Sequence, residues 1–269
     1  MKWTIRNILY ASLAILMLYI TGVFSLYIFI NPILFKTEST QTYALNNARL
    51  VEEIEIPLPE QNSLAALLCK PAEEEKAVVL FLHGANGNSA SQLDFAKTFT
   101  DRGLAVLIPD FRGYGKSKGR VSETGMQEDA MASMEWLRKR YREDSIILYA
   151  RDFSAPAACY LASIMPCRML ILDDPIYSLR RWMRDRFTAL ILPYELKYDF
   201  NTYEYLPNSI CPVYILQPKT RAQANNQDAR KLQGLLRDPN AMIWLEQSKN
   251  ASVYETEAFQ TALDQLIGY

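Results

Sequence analysis

Apolar residues are spaced along most of this chain in two alternating patterns. Short apolar or alternating runs, typical of β-strands, occupy residues 50–56, 64–69, 77–82, 104–108, 145–149, 169–173, 212–217 and 241–246. Helix-period stretches lie between them, most clearly at 126–141. This order predicts right-handed βαβ crossovers around a mostly parallel sheet with helices on both faces, preceded by an antiparallel pair. We find no internal repeat and expect one domain over residues 49–269.

The N-terminus carries a different pattern, an unbroken apolar run. No charge occurs between residues 8 and 30, and at ~1.5 Å per residue this run spans roughly 34 Å, against ~30 Å for the hydrocarbon core of a bilayer. The run favours an uncleaved transmembrane anchor over residues 1–36, followed by a polar linker at 37–48. A cleaved signal peptide would have a shorter apolar region, and a buried core helix is the other alternative.

Charged residues around the anchor indicate its orientation. Lys2 and Arg6 precede the run and Lys36 follows it. The positive-inside rule then places the N-terminus in the cytoplasm and the globular domain outside it. The membrane is accordingly the one partner that the N-terminal pattern predicts.

Composition excludes several classes of function. The 29 basic residues nearly balance 30 acidic ones, which argues against a nucleic-acid partner. His83 is the only histidine, so a histidine-based metal site is excluded, and we expect neither a metal nor a cofactor. The cysteines form no C-x-x-C pair and are expected to be buried apolar residues, with one disulfide feasible in an extracytoplasmic domain; they are Cys69, Cys159, Cys167 and Cys211.

Glycine-rich motifs follow the third and fourth predicted strands. Six of the ten glycines lie between residues 84 and 119. His83-Gly84 follows the third strand, an Asp-x-Arg-Gly-Tyr-Gly-x-Ser motif at 110–117 follows the fourth, and Val-Tyr-Glu-Thr stands at 253–256. With these motifs, the chain from about residue 50 onward resembles the α/β-hydrolase superfamily, in particular a membrane-anchored branch related to serine aminopeptidases and acyl-ester hydrolases. That resemblance implies a catalytic serine after the fifth strand, an acid after the seventh and a histidine after the eighth.

All three implied catalytic positions carry other residues. Asp152 stands at the nucleophile position, Arg221 at the acid position and Asn250 at the histidine position. An amide cannot act as the base, and a cation cannot stabilise an imidazolium. Loss of a serine-hydrolase triad costs roughly a million-fold in turnover, so these three residues are expected to be inactive in that role. The backbone N–H groups of Ala85 and Phe153 remain at the oxyanion-hole position.

The replaced positions predict a new arrangement of charges. We expect Asp152 and Arg221 to form an ion pair across the cleft, with Asp173 and Asp174 as rival partners for Arg221 or for Arg151. His83 is expected to be a structural imidazole. Ser154 is expected to cap the following helix rather than to act as a displaced nucleophile.

The sequence leaves three functions open. The first is a membrane-anchored α/β-hydrolase-fold protein that is catalytically impaired and binds a small acyl or peptide ligand or a protein partner. The second is an active hydrolase of acyl esters or peptides with an atypical site, such as Asp152 with His83. The third is a structural subunit of a membrane complex.

Overall fold

A computed structural model describes residues 5–40, 42–43, 50–59, 62–186, 197–219, 223–246 and 253–268. Its helices are α1 (Ile5–Leu34), α2 (Leu93–Thr100), α3 (Glu123–Arg138), α4 (Ala155–Ile164), α5 (Leu179–Arg186), α6 (Thr202–Tyr205), α7 (Gln223–Gln233) and α8 (Glu257–Ile267). Its strands are β1 (Lys36–Thr37), β2 (Val51–Pro57), β3 (Ser63–Cys69), β4 (Ala77–Leu82), β5 (Asn86–Gly87), β6 (Leu104–Pro109), β7 (Ile146–Arg151), β8 (Met169–Asp173), β9 (Val213–Pro218) and β10 (Met242–Leu245).

Eight strands form one sheet in the order β10-β9-β8-β7-β4-β6-β3-β2. Only β3 runs antiparallel to its neighbours β2 and β6, and the other pairings are parallel. The predicted mostly parallel sheet with an antiparallel pair at its start is therefore confirmed. Helix α3 begins three residues before the predicted start because Ser122 caps it, its Oγ accepting a hydrogen bond from the N–H of Gly125.

The central strand β4 shows how the sheet divides the core. All six of its residues are buried, and successive side chains point to opposite faces. Val78, Leu80 and Leu82 join a cluster with residues of α3 and α4, while Val79 and Phe81 join a cluster with residues of α2 and α8. Helices cover both faces, so the chemistry available to solvent lies at the strand ends.

Helix α1 is both the apolar N-terminal helix and part of the core. Its residues Ile5–Ser25 are long and apolar enough to cross a membrane, with a mean hydropathy of 2.0 and no burial within the protein. At its other end Ile30 and Leu34 are buried, as is the following Phe35. The ring of Phe35 packs 5.9 Å from Phe153, the residue after Asp152. The domain boundary near residue 36 stays a prediction.

The Asp-x-Arg-Gly-Tyr-Gly-x-Ser motif forms a buried hydrogen-bonded turn after β6. Asp110 accepts hydrogen bonds from the N–H groups of Ser89 at 2.6 Å and Lys116 at 3.1 Å, and from the hydroxyl of Tyr43. Gly115 has a φ of +48°, and a Cβ there would lie 1.7 Å from the Asp110 carboxylate. The motif therefore holds the turn that packs against the loop carrying Ala85.

Candidate functional site

The candidate site is built on the sharp turn between β7 and α4. Asp152 directly follows β7 and has a φ of +54°, a left-handed conformation that aspartate tolerates better than most residues. The buried Ser154 stabilises the turn, since its Oγ accepts a hydrogen bond from the N–H of Arg151 at 3.0 Å and donates one to the carbonyl of Leu82 at 2.7 Å. Ser154 is the N-cap residue of α4 but its side chain makes no capping bond, so that expectation was wrong.

Two opposing influences act on the Asp152 carboxyl group. Burial, and then the negative charge of Asp174, raise its pKa to about 7, although hydrogen bonding from the backbone N–H groups of Ala85 and Phe153 lowers it. Gly84 lies next to this carboxyl group, since a Cβ at residue 84 would be in van der Waals contact with that of Asp152, at 3.4 Å. The carboxyl group thus faces the two N–H groups that the sequence assigns to an oxyanion hole, and that assignment stays a prediction.

A second carboxylate lies beside the first at the end of β8. Asp174 also has a positive φ, +47°, and accepts a hydrogen bond from Gln217 Nε2 at 2.6 Å. Gln217, on β9, is only 2% exposed, and its Oε1 has no hydrogen-bond partner among the described residues. The ends of β7, β8 and β9 therefore bring two carboxyl groups and an amide oxygen together.

These groups line a cavity of about 480 Å³, which we call the cleft. Its walls include Leu34 of α1 and the aromatic rings of Tyr177 and Trp182. The other lining residues are Lys36, Ala85, Asn86, Asp152, Phe153, Asp174, Pro175, Ile176, Asp185, Gln217 and Asp228. The cleft is thus a partly apolar hollow that carries a polar floor at the strand ends.

The cleft has an excess of negative charge. Asp228 is neutralised by Arg181, which lies 2.5 Å away. Asp152, Asp174 and Asp185 have no cation within ion-pair distance among the described residues, and Lys36 is the one lysine that lines the cavity. The cleft therefore favours a positively charged group over an anion.

A buried ion pair joins the last residues of β7 and β8. Arg151 Nε donates to Asp173 Oδ2 at 2.8 Å, and the hydroxyl of Tyr149 donates to the same oxygen at 2.8 Å. The Arg151 guanidinium stacks 4.1 Å from both the Phe95 and Tyr254 ring centroids. Arg151 and Asp173, one of the predicted rival pairings, are thus partners.

The only histidine does not take part in the cleft. His83 is fully buried, its Nδ1 lies 2.8 Å from the carbonyl oxygen of Gly84, and its Nε2 has no hydrogen-bond partner in the part of the chain that the structure describes. Its ring packs against Phe111 and Tyr114. Burial lowers the pKa of the imidazole, so His83 is neutral, and it forms no hydrogen bond with Asp152.

Two of the predicted site residues lie outside the described residues, namely Arg221 and Asn250. The ion pair between Asp152 and Arg221 accordingly stays a prediction. Sequence reasoning missed the pairing of Asp174 with Gln217. The sequence did contain an indication of this pairing. Asp174 follows one predicted strand and Gln217 ends another, and the carboxyl ends of neighbouring parallel strands meet at one edge of the sheet.

Comparison with known proteins places these features in context. A family model described as the alpha/beta hydrolase fold matches residues 77–198. The chain is 36% identical to an uncharacterized protein of Mycobacterium tuberculosis over 103 residues, 38% of this chain and 37% of that protein. It is 24% identical to the lysophosphatidylserine lipase ABHD12 of Danio rerio over 186 residues, 62% of this chain and 49% of that protein. The chain thus spans less than half the length of each of these curated relatives.

Solved structures share the architecture at low sequence identity. An esterase of Pyrococcus furiosus superposes with a TM-score of 0.63 at 16% identity, covering 87% of this chain and 95% of that one. The α/β hydrolase GrgF from a Penicillium species gives a TM-score of 0.62 at 16% identity, covering 81% of this chain and 96% of that one. The matching family model and the shared sheet show that the chain has the α/β-hydrolase fold.

Proposed function

We propose that this protein is a membrane-anchored, catalytically impaired α/β-hydrolase-fold protein that binds a ligand carrying a positively charged group, such as the amino terminus of a peptide. One observation carries the proposal: a carboxyl group, that of Asp152, faces the Ala85 and Phe153 N–H groups at the turn where a serine hydrolase has its hydroxyl nucleophile. An anionic intermediate would have to displace a carboxylate from the groups that would stabilise it.

The absence of a usable base supports the same proposal. Acyl transfer needs a group that takes the proton of the nucleophile or of water, usually an imidazole within hydrogen-bond reach. The sequence has one histidine, and His83 is buried with its Nδ1 against the Gly84 carbonyl. Asn250 holds the position where the superfamily has its histidine, and an amide cannot take up a proton near neutral pH.

Helix α1 supplies the anchor in this proposal. Its Ile5–Ser25 segment crosses the bilayer once. Lys2 and Arg6, at and just before its N-terminal end, keep that end in the cytoplasm, so the globular domain lies outside it.

A second candidate function is hydrolysis of an acyl ester or peptide by an atypical site. The specific observation in its favour is the pKa of Asp152, raised to about 7, which is the range of a general base. The similarity to lysophosphatidylserine lipases makes a lysophospholipid a substrate worth testing.

The two functions are separated by an activity assay on the full chain in detergent. We expect no labelling by a fluorophosphonate probe and no turnover of p-nitrophenyl acetate or of lysophosphatidylserine. A variant carrying Asp152→Ser, Arg221→Asp and Asn250→His should gain probe labelling, because it restores a nucleophile, an acid and a base to the positions that the superfamily uses.

The matched control carries Asp152→Ala in place of Asp152→Ser and should not be labelled. Turnover by the wild-type protein that disappears in Asp152→Asn would instead establish the hydrolase function and remove the binding-only proposal. Asparagine is the appropriate replacement because it tolerates the left-handed backbone of residue 152.

The proposed ligand class follows from the groups that face the cleft. Asp152 and Asp174 supply negative charge, and Gln217 Oε1 supplies a buried acceptor without a donor among the described residues. A primary ammonium group offers three donors and one positive charge, which matches these three acceptors. Tyr177 and Trp182 add aromatic faces that a cation or an apolar tail can contact.

Binding of 4-phenylbutylamine, measured by titration calorimetry, should therefore strengthen with pH. Because Asp152 has a pKa of about 7, its charged fraction rises about tenfold between pH 6 and pH 8, and we expect affinity for the cation to rise by up to the same factor over this range. Asp152→Asn should weaken binding and remove most of the pH dependence. The control variant Asp185→Asn changes an exposed residue at the rim of the cleft and should retain the pH dependence of binding. Equal binding of 4-phenylbutyrate would contradict the proposed charge preference.

A further inference from the structure

Two cysteines lie side by side at the end of the sheet opposite the cleft. Cys167 lies two residues before the start of β8 and Cys211 two residues before the start of β9, and the parallel register pairs Leu170 with Val213. The residues just before these strands are therefore neighbours. The Cys167 thiol donates to Cys211, with the two sulfur atoms 2.9 Å apart.

The surroundings of Cys211 favour a reactive thiol. Hydrogen bonding from Cys167 is the largest influence and, with Ser209 and the positive charge of Arg237, lowers the pKa of Cys211 to about 7. Cys211, Ser209 and Arg237 also line a cavity of about 270 Å³, which gives a small reagent a route to the sulfur. Cys211 is therefore the more acidic of the two thiols.

The other two cysteines provide an internal contrast. Burial raises the pKa of Cys69 to about 11 and also raises that of Cys159, which is fully buried on α4. Thiols of this kind behave as apolar core residues and react slowly. The chain thus contains one pair of cysteines in contact, Cys167 and Cys211, and two buried thiols that are expected to react slowly, Cys69 and Cys159.

We propose that Cys167 and Cys211 are a dithiol pair that forms a disulfide between the starts of β8 and β9. The oxidant is itself a disulfide, such as oxidised glutathione or an oxidised thiol–disulfide oxidoreductase. The Cys211 thiolate attacks one sulfur of the oxidant, which forms a mixed disulfide and releases one thiolate. The Cys167 thiol then loses its proton and attacks the Cys211 sulfur, which releases the second thiolate. Two protein thiols are oxidised, the oxidant is reduced to two thiols, and their two protons pass to the released thiolates.

This bond would join the two strands that supply the floor of the cleft. The far end of β8 leads to Asp174, and β9 carries Gln217, which donates a hydrogen bond to Asp174. The cysteines are 44 residues apart in sequence, so the bond also closes a long loop and restricts the unfolded chain. We expect the oxidised protein to melt roughly 5–10 °C above the reduced one.

The test uses the full chain in detergent, incubated with oxidised glutathione, alkylated with N-ethylmaleimide and digested without reductant. Mass spectrometry should find the Cys167 peptide joined to the Cys211 peptide, lighter by two hydrogens than the separate peptides. Reduction should lower the melting temperature of the wild-type protein and of Cys159→Ala. Cys167→Ala should lose both the cross-link and the effect of the reductant.

Two results would overturn the proposal. One is separate alkylation of Cys167 and Cys211 after the oxidant treatment, and the other is a cross-link that joins either of them to Cys159 or Cys69. Both readouts are made on the wild-type protein, so they do not depend on whether a variant folds. They are also independent of the ligand and of hydrolytic activity.

Discussion

Replacing Ile30, Leu34 and Phe35 together by alanine is expected to prevent stable folding of the globular domain while leaving the apolar segment Ile5–Ser25 intact. The three side chains are at most 4% exposed, and Phe35 packs against Phe153 and Phe200. Large-to-alanine changes in cores cost about 2–5 kcal/mol each, so the total approaches the 5–15 kcal/mol that a whole domain has available. Circular dichroism and limited proteolysis of the full chain in detergent would measure the loss.

A matched variant on the same helix tests whether the effect arises from the core. Ile20, Phe24 and Phe29 are all more than half exposed in the protein, so their replacement by alanine removes similar volume without opening the core. We expect the melting temperature of the globular domain to stay within about 2 °C of the wild type. Equal loss of stability in both variants would mean that α1 acts only through membrane insertion.

Replacing Arg151 by alanine is expected to lower the free energy of unfolding by roughly 3–5 kcal/mol. Asp173 is completely buried, and without the guanidinium its carboxylate would keep only neutral donors, such as the hydroxyl of Tyr149, and no cation in contact with it among the described residues. The variant also loses the stacking of Arg151 between Phe95 and Tyr254. Urea unfolding of the full chain would give the difference directly.

The double variant Arg151→Ala with Asp173→Asn should recover part of the lost stability, because it removes the unpaired buried charge. Arg142→Ala provides the exposed comparison. Its side chain is 86% exposed in its ion pair with Asp144, and surface pairs contribute little, so we expect a change below about 1 kcal/mol. If Arg142→Ala and Arg151→Ala lowered the free energy of unfolding by the same small amount, the buried Arg151–Asp173 pair would contribute no more to stability than an exposed one.

Hydrophobic patterning was sufficient to locate the strands of the large sheet. Each predicted strand lies within two residues of the observed one, because a run such as 77–82 that is buried on both faces contains apolar residues only. The helix start at Glu123 was missed because Gly125 interrupts the helical pattern, while the N-cap of Ser122 compensates for it.

The sequence placed Asp152 and Asp174 at strand ends, but it did not predict how the side chains of the candidate site are arranged. A motif identifies Asp152 as the residue at the turn, since its position depends on local sequence. The hydrogen bond between Gln217 and Asp174 depends on which strands are neighbours, and a spacing of 43 residues along the chain does not encode that. The pKa of Asp152 likewise depends on burial and on Asp174, both of which arise only in the folded chain.

Leu34 forms part of the cleft wall and belongs to the same uninterrupted helix as the apolar segment that ends at Ser25. Leu34 is the ninth residue after Ser25, a rise of about 14 Å. In a bilayer the cleft would therefore stand at a set height, about 14 Å beyond the acyl chains and next to the headgroup region. A ligand dissolved in or adsorbed to that leaflet would reach the cleft by lateral diffusion in two dimensions, and its effective concentration would be set by its partitioning into the lipid.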